Sequence, residues 1–170
     1  KARVEFEVVP GVTAALASAA AAQVSLTHRD KSSAVILLSS HPANPEQTVA
    51  WPAYVASGAT LAVYMPGFNY RETADQLIRA GLSPATPCAI VSRATSSEQQ
   101  VHRTTVVDLP AAPQLPAPTL LLIGEVLGAD AVEDSVAAAP WSSAQPVVQT
   151  GEPQFVFENS AVWGNLEWRQ

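Results

Sequence analysis

LAVYMPG, residues Leu61 to Gly67, holds a short apolar strand, an abrupt stop and a turn. The strand Leu61 to Tyr64 ends at Met65, and Pro66 with Gly67 redirects the chain. A helix from Tyr70 to Ala80 is then predicted by the apolar spacing of Ala74, Leu77 and Ile78, with Gly81 at the C′ position that favours a left-handed residue. Strand, turn, amphipathic helix is the repeating phrase of an α/β sheet. In such sheets small ligands sit at the carboxyl ends of the strands, in the loops that lead to helices. Two further strand ends invite comparison: Val9 before PGVTAA, and Ser92 before RAT. The three loops are expected to form one wall of a small-molecule site.

Working outward, Val4 to Val9 alternates apolar residues with Glu5 and Glu7 and reads as a strand stopped by Pro10 and Gly11. An alanine-rich helix from about Val12 to Gln23 follows, with Thr13 in its first turn. Thr13 is open between two roles: capping the helix, or meeting a ligand at its exposed N–H groups. Ala34 to Leu38 is an unbroken apolar run, expected to be a strand buried on both faces. A proline-containing loop leads to a short helix around Thr48 to Ala56. Pro87 to Val91 is the next buried strand. Gln100 to Leu109 alternates as one arm of a hairpin, PAAPQLPAP is a connector, Thr119 to Val126 is the last strong strand, and Ala131 to Ala139 suits a short helix. The expectation is an α/β domain with a mixed sheet of roughly five strands and helices packed on it, spanning residues 1–139.

The composition changes at Pro140. Residues 140–170 hold Trp141, Trp163 and Trp168 of the four tryptophans, together with Phe155 and Phe157, and read as an aromatic tail. It is either a flap or hairpin on the body's own surface or a docking arm for a partner.

Forty-eight per cent of the residues are hydrophobic, enough for a sizeable core in 170 residues. A net charge of −6 argues against a broad nucleic-acid face, which needs clustered Lys and Arg. Cys88, the one cysteine, fits a reducing, cytoplasmic setting. With His28, His41 and His102 far apart and no second cysteine, no metal site is expected. No apolar run approaches the ~20 residues of a membrane-spanning helix. The start, KARVEFEVVP, reads as though cut from a longer protein.

Taken in order, EVVPGVTAA, LTHRD, VYM, AIVSRAT and PTLLLIGEV resemble the C-terminal domain of the S-adenosylmethionine-dependent tetrapyrrole methylases, over about Val4 to Val126. Within that family the likeness is greatest to the C-methyltransferases of uroporphyrinogen III, on the route to sirohaem and cobalamin. The resemblance implies two α/β domains with cofactor and substrate in the cleft between them, and a homodimer in the full enzyme. It implies cofactor contacts at Thr13, Ala14, Met65 and Ala94, with S-adenosylhomocysteine as the product left behind. Arg29 of LTHRD, with His28 beside it, would meet the carboxylates of the tetrapyrrole substrate, although on local grounds Arg29 also suits a solvated surface charge. Two features depart from the family. Pro66-Gly67-Phe68 stands where Gly-Leu is expected, and nothing matches the family's N-terminal domain with its glycine-rich cofactor loops and acid–base residues. The chain is therefore expected to hold half of a cofactor site, no proton-transfer groups, and no methyl transfer of its own. Another precorrin methylase, or a non-catalytic binding module, are the alternatives.

Overall fold

The computed structural model describes residues 7–40 and 48–128. The expected strand residues 4–6, part of the loop after Ser40, the expected helix Ala131 to Ala139 and the aromatic tail lie outside the described residues, as does the division proposed at 139/140.

Helix α1 (Ala14–Ala21) comes first, followed by strand β1 (Val35–Ser39), helix α2 (Trp51–Ala56), strand β2 (Thr60–Tyr64) and helix α3 (Tyr70–Arg79). Strands β3 (Pro87–Ser92), β4 (Gln100–Thr105) and β5 (Thr119–Ile123) complete one mixed sheet, in the order β1-β2-β5-β3-β4. β1 and β2 are parallel, while β5 runs antiparallel to both β2 and β3, with Leu120 opposite Tyr64 on one side and Val91 on the other. β1, β2 and β3 therefore point the same way, and their carboxyl ends share one edge of the sheet.

The period-2 alternation of strand side chains gives the sheet two apolar faces. One face carries Leu61, Val63, Cys88, Ile90, Leu121 and Ile123 against α2 and α3. The other carries Ala62, Ala89, Val91, Leu120 and Leu122 against α1. On this second face Ala15, Ala19 and Ala22 of the helix side meet alanines on β2 and β3, all buried, so backbone approaches backbone closely. The guanidinium of Arg103 on β4 donates to the Ala22 carbonyl, placing a cation at the negative end of α1. α3 is capped by Asn69, which accepts from Glu72 N–H and donates to its carboxylate, and it ends at Gly81 with φ +97° as the sequence leads one to expect.

Several expectations need correction. Residues 7–9 form no strand, and Val8 and Val9 are exposed; no strand among the described residues runs beside them to pair with. β1 is not buried on both faces. Among the described residues it is an edge strand with β2 as its one neighbour, and Leu37 remains 53% exposed because α1 leaves that end of the sheet uncovered. The Gln100 strand stops at Thr105, whose hydroxyl donates to Asp108 at 2.7 Å and turns the chain into a short 3-10 helix, Leu109–Ala111. The last strand stops at Ile123. Gly124 adopts φ +152° there, and a Cβ at that position would lie 3.3 Å from both Cα and Oγ1 of Thr60.

Candidate functional site at the carboxyl edge of the sheet

β2 delivers Tyr64 and Met65 to the shared edge. Ser40, just past β1, donates its N–H to the Tyr64 carbonyl at 3.1 Å and its hydroxyl to the Met65 carbonyl, so two adjacent strand ends are fastened together. Met65 has φ +49° and is 61% exposed. Pro66 and the helix behind it are packed in, so the methionine is held outward by its backbone.

β3 delivers Arg93, Ala94 and Thr95 to the same edge. Arg93 and Thr95 are both left-handed, with φ +47° and +68°. Arg93 is held by three groups: its N–H donates to the Pro118 carbonyl at 2.9 Å, its Nε to the Ala117 carbonyl at 3.1 Å, and its guanidinium pairs with Glu98. Ser92 donates to the Pro116 carbonyl alongside. Arg93 thus fastens the connector before β5. Ala94 sits half-buried between the two strained residues and packs toward the α1 face. Left-handed backbone at non-glycine residues costs roughly 1–3 kcal/mol each and gathers where a loop must hold a particular shape for a ligand.

α1 runs opposite to these strands, so its N-terminus arrives at the same edge. Thr13 occupies the N-cap position with extended backbone, yet its side chain makes no capping bond. Its hydroxyl instead pairs with the phenol of Tyr64, which also accepts the Ala15 N–H at 3.1 Å. Thr13 is therefore neither simply a cap nor free. Tyr64 escaped the reading of the sequence, although it shares strand parity with Ala62 and so faces α1. Thr13, Met65 and Ala94 all belong to one edge, and Ala14 lies exposed beside Thr13.

Arg29 and His28 lie elsewhere. Residues 28–32 form a tight turn closed by His28 N–H to the Ser32 carbonyl at 2.7 Å and Ser32 N–H to the His28 carbonyl at 3.0 Å, with Arg29 exposed at its tip. Ser32 donates to the Ala34 and Gly58 carbonyls, which fixes the turn to the opposite, amino edge of β1 and β2. A strand of this length spans about 16 Å. A groove of about 630 Å³ lies between α1 and β1, floored by Val35 and Leu37. It runs from Thr13 to Thr27, one residue short of His28, and so connects the two edges. A second cavity of about 420 Å³ lies between α2 and α3, beside Trp51, Gln76 and Arg79. Neither hollow includes Met65 or Ala94, which stand in the open on the sheet edge.

Burial raises the phenol pKa of Tyr70 at the start of α3, with a contact to Thr119 acting in the other direction. Burial alone lifts the Cys88 thiol to about 12.

Five strands of one mixed sheet, helices on both faces and left-handed residues at the carboxyl edge define an α/β domain. The family profile of the tetrapyrrole (corrin/porphyrin) methylases matches residues 1–110, and the chain belongs to that family. It is 41% identical over 128 residues to siroheme synthase 1 of Pectobacterium atrosepticum, a match covering 75% of this chain and 27% of that protein. It is 38% identical over 127 residues to the siroheme synthase of Pseudomonas fluorescens, covering 73% and 27%. Among solved structures, the uroporphyrin-III C-methyltransferase of Thermus thermophilus complexed with S-adenosylhomocysteine superposes with a TM-score of 0.61 at 27% identity, covering 71% of this chain and 51% of that one. A cobalt precorrin-4 methyltransferase of cobalamin biosynthesis superposes with a TM-score of 0.61 at 31% identity, covering 71% and 52%. The chain spans about a quarter of the curated relatives it matches, and about half of the solved structures.

Proposed function

We propose that this chain forms the C-terminal half of a methyltransferase that moves a methyl group from S-adenosylmethionine to carbon atoms of uroporphyrinogen III, in the making of sirohaem. The 41% identity to a siroheme synthase is the observation that carries the reading. The residues on the carboxyl edge fit one face of the cofactor. Ala14 and Ala94 are small enough for an adenosine to approach backbone, and the outward Met65 offers a soft apolar surface that follows an irregular ligand. The cofactor supplies an electrophilic methyl on sulfonium, and the chain's part is positioning: Thr13 and Ala14 from one side, Met65 and Ala94 from the other. Arg29 and His28 stand at the far mouth of the groove along α1, where charge-assisted hydrogen bonds would take substrate carboxylates.

A second half of the fold, homologous to the other half of the solved relatives, supplies the opposing wall and the acid–base groups. The completed enzyme works as a cytoplasmic homodimer. A second reading, methylation of a later precorrin, is favoured by the equal superposition on the cobalt precorrin-4 enzyme. A purely binding module is the remaining reading.

Calorimetry with S-adenosylhomocysteine and a methyl-transfer assay test these readings, on the chain alone and joined to the N-terminal half of a siroheme synthase methylase. The chain alone binds weakly and turns nothing over, since each ~1.4 kcal/mol of lost contact costs tenfold in affinity. The joined enzyme methylates uroporphyrinogen III. Preference for a precorrin favours the second reading, and no transfer to either substrate favours the binding module. Tight binding or turnover by the 170 residues alone overturns the division of labour.

A further inference from the structure

We infer that Tyr64 is a positioning residue that sets the distance between the two sides of the cofactor site, an assignment that rests on the methylase reading above. One phenol oxygen makes two bonds to the start of α1. It pairs with the Thr13 hydroxyl, fifty-one residues away in sequence, and it accepts the Ala15 N–H at 3.1 Å. Those partners bracket Ala14. Tyr64 is also the residue immediately before Met65, whose carbonyl is in turn held by Ser40. A single side chain therefore links the helix start that carries Thr13 and Ala14 to the strand end that carries Met65.

The local chemistry suits this link and little else. Residues at an N-cap ordinarily use their own side chain to satisfy an N–H of the first turn. Here Thr13 makes no such bond, and a tyrosine from the sheet provides the acceptor for Ala15 instead. The first turn of α1 is thus registered against β2 by polar contacts with defined geometry. Deeper along the helix its alanines pack on Ala62, Ala89 and larger apolar residues such as Val91 and Leu122, contacts without fixed polar geometry, and the guanidinium of Arg103 holds the Ala22 carbonyl at the far end. Without the phenol, α1 would keep its apolar seat and its Arg103 contact at the far end, and lose the polar stop at its N-terminus.

Tyr64→Phe removes the hydroxyl and keeps the ring. In the 170-residue chain, hydrogen exchange at the Ala15 amide is expected to speed up about tenfold while protection across β2, β3 and β5 is unchanged. In the joined enzyme, the dissociation constant for S-adenosylhomocysteine and the KM for S-adenosylmethionine are expected to rise about tenfold, with kcat within twofold. Tyr54→Phe, on α2 across the sheet, should change none of these. Unchanged Ala15 exchange, or faster exchange with unaltered affinity, overturns the assignment of Tyr64 alone, because the parent enzyme still binds the probe. A parent enzyme that does not bind S-adenosylhomocysteine overturns the methylase reading and this assignment with it.

Discussion

Met65 and Arg93 share a backbone conformation at equivalent places: φ is +49° at the first and +47° at the second, each one residue past the end of a strand. Those strands, β2 and β3, flank β5 and are parallel to each other. The two residues use the conformation differently. Arg93 turns its side chain back to hold the connector before β5, whereas Met65 leaves its own side chain in the open.

That difference makes Met65→Gly informative. Glycine adopts the left-handed region without a Cβ penalty, while its extra freedom in the unfolded chain offsets part of the gain. Unfolding free energy in denaturant should stay level or rise by up to ~1 kcal/mol, and S-adenosylhomocysteine binding by the joined enzyme should weaken. Met65→Ala keeps the strain and should weaken binding without any gain. A marked loss of stability in the glycine variant would show that the methionine is held by packing rather than imposed by the turn.

Arg93→Ala removes one hydrogen bond to a carbonyl and a partly exposed ion pair with Glu98. Such contacts contribute about 0.5–1.5 and 0.2–1 kcal/mol. The variant should unfold at slightly lower denaturant, with faster amide exchange at Ala117 and Thr119, and the joined enzyme should keep nearly full methyl transfer. Loss of transfer with stability intact would move Arg93 into the reaction.

Ala89→Leu tests the seat of α1. Ala89 is fully buried on β3 beneath the helix alanines, with no room for a larger side chain. Overpacking of this kind costs roughly 1–3 kcal/mol. Because the helix is pushed off the sheet, the Tyr64 contacts at its N-terminus should loosen too, visible as faster exchange at Ala15.

Cys88 carries a pH prediction. Its thiol is buried on β3 and its pKa is raised from the ordinary 9.0 to about 12. The unfolded thiol therefore ionises first. The contribution to stability is complete below pH 9 and is lost as pH rises from about 9 toward 12. Alkylating reagents at pH 8 should label Cys88 only when the chain unfolds, and Cys88→Ala should flatten the alkaline fall in stability. Rapid labelling of the native chain contradicts the burial.

Much of the fold was legible because it is written in local signals. LAVYMPG marked β2, its sharp end and the start of the next helix, and Gly81 marked the end of α3. What escaped depends on partners far away in sequence. Nothing within Ala34 to Leu38 says that one flank of the strand lacks a neighbour among the described residues, since an edge strand and a central one share the same apolar run. Val4 to Val9 alternates like a strand, yet a strand exists only beside another, and residues 7–9 form none. The candidate site divides in the same way. Met65 and Ala94 could be brought to one edge by the rule of strand ends, whereas Thr13 reaches it at the N-terminus of α1, since residues 7–9 form no strand. The opposite position of Arg29 follows from the turn His28–Ser32, closed by backbone bonds that side-chain identities do not announce. Tyr64 was hidden by its type, because a tyrosine ending an apolar strand reads as packing until its hydroxyl finds a helix.

The central place of β5 bears on how the chain is made. Among the described residues β5 is the last strand in sequence, yet it lies between β2 and β3, and neither inner strand has another partner on that side. As the polypeptide leaves the ribosome, β1 with β2 and β3 with β4 can form only as separate pairs. They cannot join until Ile123 has cleared the exit tunnel, so everything before it must wait with an open seam of unpaired backbone. Nascent chains arrested short of Ile123 would present that seam to chaperones, and release of the last strand would close the domain in one step.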